Sequence, residues 1–124
     1  MASIVHGGGG SLKAVLLWTN SNPTTQNTGF SVNVDFSKYT AAIISCRAYI
    51  DNANTDDTNI VYKNGGTQWV HAHASDTRLN GRRVTTFNDS KITFSNGFVG
   101  ASGNNDGRAC IPQKIWGVKV KGVS

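Results

Sequence analysis

The sequence predicts an all-β domain, an antiparallel β-sandwich of jelly-roll-like type with about eight strands, and three observations carry that prediction. Short runs rich in Val, Ile, Thr, Phe, Tyr and Trp recur along the chain, separated by clusters of Asn, Asp, Gly and Ser. Several runs alternate with period two, so that Phe30, Val32, Val34 and Phe36 of FSVNVDF fall on one face. All 7 acidic residues are Asp, and Asp favours turns where Glu would favour helices. A chain of 124 residues holds one modest core, which two sheets packed face to face would bury.

In chain order, residues 1–13 read as a flexible leader or linker, because Gly7-Gly8-Gly9-Gly10-Ser11 has no side chains to pack, and the folded domain spans residues 14–124. The expected strands are Ala14 to Thr19, Phe30 to Phe36, Ala41 to Ile50, Asn59 to Lys63, Thr67 to Ala74, Arg82 to Asn88, Lys91 to Ser95, and Cys110 to Lys121. Asn64-Gly65-Gly66 and Asn88-Asp89-Ser90 supply residues that tolerate positive φ where hairpins reverse. Two polar, Gly- and Asn-rich breaks, Asn20 to Gly29 and Gly97 to Gly107, are too long for tight hairpins and are the loops expected to carry function.

Charge and cysteine content narrow the function classes. Lys and Arg number 12 against 7 acids, giving a net charge of +5, yet the densest cluster is only Arg82-Arg83. Basic and aromatic residues are not interleaved along one element, which disfavours a nucleic-acid binder. No apolar stretch approaches the ~18 residues of a spanning helix, and Met1 to His6 lacks the basic start and apolar core of a secretory signal, so no membrane insertion is expected. Cys46 and Cys110 lie in apolar surroundings and read as two buried thiols, with one disulfide as the alternative.

Four stretches are more specific than composition. LLWTNSNPT, from Leu16 to Thr24, followed by FSVNVDFSKYTAAIIS, resembles the opening of C-terminal domains of tail fibre and minor structural proteins from phages and prophages of Gram-positive gut bacteria. RRVTTFNDSKITFSNGF, followed by an Asn-rich loop and CIPQKIWGVK, resembles the closing pattern of that family. The chain departs from the pattern at Trp116, where Tyr is expected, and at its Gly-rich leader, where a fibre supplies a stalk. The resemblance runs from about Leu16 to Lys119 and implies a β-sandwich at a fibre tip, a homotrimer and host recognition. On that reading the chain is made in the bacterial cytoplasm and resides in the virion. Its partners are a bacterial surface glycan, other copies of itself and other tail-fibre or baseplate proteins, without nucleic acid. A trimerising or capping module without a receptor site of its own is the alternative.

For such a binding module the relevant chemistry is an aromatic face with a polar rim, since sugar rings stack their C–H faces on Trp and Tyr while amides and charges fix the hydroxyls. Tyr49, Tyr62, Trp69 and Trp116 are the aromatic candidates, with Trp69 the best because polar residues and His surround it. The loop VGASGNNDGRA adds Asn104, Asn105, Asp106 and Arg108 as ligand contacts. His71 and His73, two apart on a strand, point to the same face, and a trimer with that strand near its axis would bring six imidazoles around one transition metal. Asp51, Asp56 and Asp57 offer a weak calcium reading, lacking the central Gly and terminal Glu of an EF-hand. A non-enzymatic role is expected, because the Asp residues sit in turn-like settings and neither a G-x-S-x-G elbow nor a phosphate loop is present.

Overall fold

The computed structural model describes residues 2–7, 10–24, 28–48, 56–73, 79–99 and 109–119, all of them strand or connection and none helical. The strands are β1 (Ala2–Gly7), β2 (Gly10–Thr19), β3 (Phe30–Val32), β4 (Ala41–Arg47), β5 (Asp56–Tyr62), β6 (Gln68–His73), β7 (Leu79–Phe87), β8 (Ile92–Val99) and β9 (Ile111–Val118). They form two antiparallel sheets, a five-stranded sheet A in the order β1-β2-β9-β4-β5 and a four-stranded sheet B in the order β3-β8-β7-β6. Strands β2 to β9 are the eight that alternation and turn residues predict.

The leader is where structure and expectation part. Residues Ala2 to Gly7 pair with β2 in a hairpin, from Ala2↔Ala14 to Gly7↔Gly10, and β2 runs unbroken through the expected domain boundary at Lys13. Glycine composition alone reads as coil, but a ladder partner supplies the hydrogen bonds that a lone segment lacks. The jelly-roll expectation holds for the outer strands only. β2 pairs with β9 and β3 with β8, as a folded ribbon requires, but β4 pairs with β5 and β6 with β7 as ordinary hairpins.

Between the sheets lies one apolar core. Alternating residues Ala42, Ile44 and Cys46 of β4 meet Val70 and Ala72 of β6 and Val84 of β7, all fully buried. Trp18, Phe30 and Phe94 run across the layers with ring centroids 5.9 and 5.1 Å apart, and Phe36 meets Phe87 edge-on at 5.2 Å. The alternation of FSVNVDF survives beyond the ladder: β3 ends at Val32, yet Val34 and Phe36 still point into the core. Ser37 N–H then bonds to Asp35 Oδ1 at 2.9 Å, which turns the chain, and the Ser37 side chain together with this N–H lowers the Asp35 pKa.

Arg82 is the largest fully buried side chain. Its guanidinium donates to the carbonyls of Cys110 (2.9 Å), Thr28 (3.1 Å) and Ser95 (3.1 Å) and lies 5.8 Å above the centre of the Phe30 ring. It therefore ties the end of the Asn20 to Gly29 loop, strand β8 and the entry to β9 to one point, and burial pulls its pKa down. Cys46 and Cys110 are free and buried, and burial together with the neighbouring Cys110 thiol pushes the Cys46 pKa well up.

The edge strands β5 and β6 belong to different sheets and are joined by side chains acting as backbone. Asn59 of β5 accepts the His71 N–H and donates to the His71 carbonyl, both at 3.0 Å, while Gln68 of β6 accepts the Tyr62 N–H and donates to the Tyr62 carbonyl, both at 2.8 Å. Each amide stands in for a strand residue, so two edges that would template aggregation close on each other. The turn between them passes through Asn64 (φ 59°) and Gly66 (φ 76°), left-handed positions as the Asn-Gly-Gly signal predicts.

The outer face of sheet A is apolar across four strands. Leu16 stands opposite Trp116, Trp116 opposite Ile43 and Ile43 opposite Ile60, with Ala14, Val118, Ala41 and Tyr62 forming the adjacent row. Ile43 is almost covered, whereas Leu16, Ile60 and Tyr62 keep 46%, 44% and 42% of their surface exposed.

Candidate functional site

Strand β6 divides its side chains between core and solvent. Val70 and Ala72 point inward and are fully buried, which sends Trp69, His71 and His73 to the outer face of sheet B. Strand β7 lies antiparallel beside it, placing Arg83 opposite Trp69 and Gly81 opposite His71. Strand β8 follows, with Phe98 opposite Gly81. Arg82 and Arg83, adjacent in sequence, thus go to opposite faces, one into the core and one to the surface.

A bulge helps to shape this face. Arg82 pairs with Gly97 but Val84 with Phe94, so β8 carries one extra residue there. Ser95 Oγ accepts the Arg83 N–H at 2.9 Å and donates to the Asn96 carbonyl at 2.9 Å. Gly81 leaves room for a ring, since a methyl group in its place would stand 2.6 Å from Phe98 Cζ. Phe98 therefore lies across the strand and meets Trp69 edge-on, with centroids 5.2 Å apart and planes at 85°. On Trp69, Arg83 Cζ stands 4.9 Å from the ring centre. Even so packed, Trp69 keeps 45% of its surface exposed.

Of the residues expected from sequence, Trp69, His71 and His73 do share one face. His73 is held by Asp57, whose Oδ2 accepts its backbone N–H at 2.9 Å and lies 2.6 Å from its Nδ1. Among the described residues no group of three or more His, Cys, Asp or Glu side chains is placed to hold a metal ion, and one chain offers two imidazoles, of which His73 already has one nitrogen engaged. A transition metal at His71 and His73 would need ligands from further copies of the chain. Nor is the Asp segment gathered for calcium: Asp56 pairs with Arg47 and Asp57 with His73, while Asp51 lies outside the described residues. Tyr62 and Trp116 belong to the other sheet. Tyr49 and the loop residues Asn104, Asn105, Asp106 and Arg108 lie outside the described residues, although the chain enters that loop directly after Phe98 and Val99.

Sequence reasoning missed Arg83, Phe98 and Gly81, and read Asp57 toward calcium where the structure pairs it with His73. Period-two alternation predicts that one of Arg82 and Arg83 faces inward, but which partner the outer one meets depends on the register of β6 against β7. What these side chains form is a shallow platform: one half-bare indole, a phenyl edge and a guanidinium fixed over the indole. Such a surface packs flat C–H faces and presents N–H donors beside them. Models of known protein families, curated proteins and solved structures were all compared with the chain, and none matched.

Proposed function

We propose that this chain is the receptor-binding tip module of a phage tail fibre and recognises a cell-wall or capsular saccharide of the bacterial surface, with the outer face of sheet B as its contact surface. The observation that carries the reading is Trp69, a large aromatic held by Arg83 and Phe98 yet left nearly half exposed on the edge strand of sheet B. Folding gains nothing from such exposure, and a sugar ring covers it well. Phe98 and Val99 lead along the chain toward the segment with Asn104, Asn105, Asp106 and Arg108, which lies outside the described residues. The test is retention of the chain on purified cell walls from a panel of Gram-positive bacteria. Binding that Trp69→Ala abolishes without unfolding supports the reading, and binding to none of the walls refutes it.

A second reading, a trimerising or capping module, draws on the opposite face. The row Leu16, Trp116, Ile43 and Ile60 is wider than the isolated apolar residues a monomer normally shows. A native mass of three chains by light scattering, reduced by Ile60→Lys, supports that role. Loss of the trimer on chelation would assign His71 and His73 to a metal on the axis, and a chelator-resistant trimer removes the metal.

A further inference from the structure

We infer that the ligand of the sheet B face is an acidic saccharide, a sugar unit bearing a carboxylate or phosphate, and that Arg83 is the residue that binds its anionic group. This inference rests on the saccharide reading above and narrows it to one chemical class.

The guanidinium of Arg83 is exposed, stacked on Trp69, and makes neither an ion pair nor a side-chain hydrogen bond among the described residues. The four described carboxylates are all engaged elsewhere: Asp35 with Ser37, Asp56 with Arg47, Asp57 with His73 and Asp89 with Lys63. The indole holds the guanidinium at this place while its N–H groups have no protein partner among the described residues, and a guanidinium fork matches the two oxygens of a carboxylate or phosphate. Part of the ordering cost of binding is thereby met before the ligand arrives. An anion alone would leave the exposed indole and the Phe98 ring uncovered, whereas a sugar ring carrying the anion covers both. A nucleic-acid strand calls for a run of cations, and Trp69, His71, Arg83 and Phe98 include a single arginine.

The test uses the full chain and three probes, an oligogalacturonide for carboxylate, a hexose-phosphate oligosaccharide for phosphate and a neutral galactan oligomer, titrated calorimetrically. At least one acidic probe should bind tenfold or more tighter than the neutral one, and which of the two does so identifies the anion. Arg83→Gln should remove that preference and bring the acidic and neutral affinities together, with Arg83→Lys intermediate because it keeps charge but loses the planar fork. Trp69→Ala should weaken acidic and neutral probes alike. Unfolding midpoints of the variants establish that the fold is kept, as expected for exposed positions. Equal binding of acidic and neutral probes, unaffected by Arg83→Gln, overturns this inference and leaves the saccharide reading standing. Binding of no probe, together with no retention on cell walls, overturns both.

Discussion

Replacing Asn59 by Ala tests how the strand that carries the site is held. Asn59 is partly buried and is the partner of both the N–H and the carbonyl of His71, each at 3.0 Å. Ala removes both bonds and leaves two backbone groups of an edge strand without their partner. A buried polar group left unsatisfied costs about 1–3 kcal/mol, and partial access of water puts each of these near the low end. The expected loss is therefore about 2–3 kcal/mol, read as a lower urea midpoint at unchanged slope. On heating it corresponds to a fall of roughly 6–12 °C for a domain of this size. Gln68 makes the same pair of bonds to Tyr62 at 2.8 Å, but in an exposed position where water replaces the amide. Gln68→Ala should then cost only about 0.5–1 kcal/mol, despite its shorter hydrogen bonds. Hydrogen exchange of the His71 amide should speed up in Asn59→Ala and stay near wild type in Gln68→Ala. Equal costs for the two variants, or a loss below about 0.5 kcal/mol for Asn59→Ala, would refute the account of β6 being held to sheet A by this amide.

Three further outcomes follow from the same contacts. Arg82→Met keeps much of the side-chain volume but leaves the carbonyls of Cys110, Thr28 and Ser95 without that donor, so denaturant titration should show a loss of about 3–5 kcal/mol. Because the Cys46 pKa is raised in the folded state, its contribution to stability is complete below the ordinary thiol range and declines as pH climbs through it, by up to about 1.4 kcal/mol per pH unit. Stability measured from pH 7 to 10 should fall less steeply in Cys46→Ala than in wild type, and parallel curves would count against the buried thiol. Gly81→Ala should push Phe98 off its place beside Trp69, shifting the tryptophan emission and weakening saccharide binding about tenfold in a protein that still folds.

Alternation and turn chemistry make eight of the nine described strands legible in the sequence, because period two and residues tolerant of positive φ are local properties. FSVNVDF shows how far such reasoning reaches: its inward face was readable through Phe36, but the end of the ladder at Val32 depended on where β8 lies. Strand β1 was missed for the same reason, since a Gly-rich leader becomes a strand only when a partner pairs with it. The candidate site was half legible. Trp69, His71 and His73 are close in sequence and share a face by alternation alone, whereas Arg83 and Phe98 reach Trp69 through the register of three strands and a bulge.

What the sequence determined by itself is the all-β class, most of the strands, the inward or outward sense of alternating residues and the surplus of positive charge. What only the tertiary structure decided is the pairing: hairpins at β4-β5 and β6-β7 in place of the jelly-roll ribbon, a buried Arg82 beside an exposed Arg83, and a bare indole next to a fixed cation. The division has one physical cause. Side-chain direction along a strand follows from the local backbone, but contact between strands is set by register, and register is chosen by the packing of the whole core.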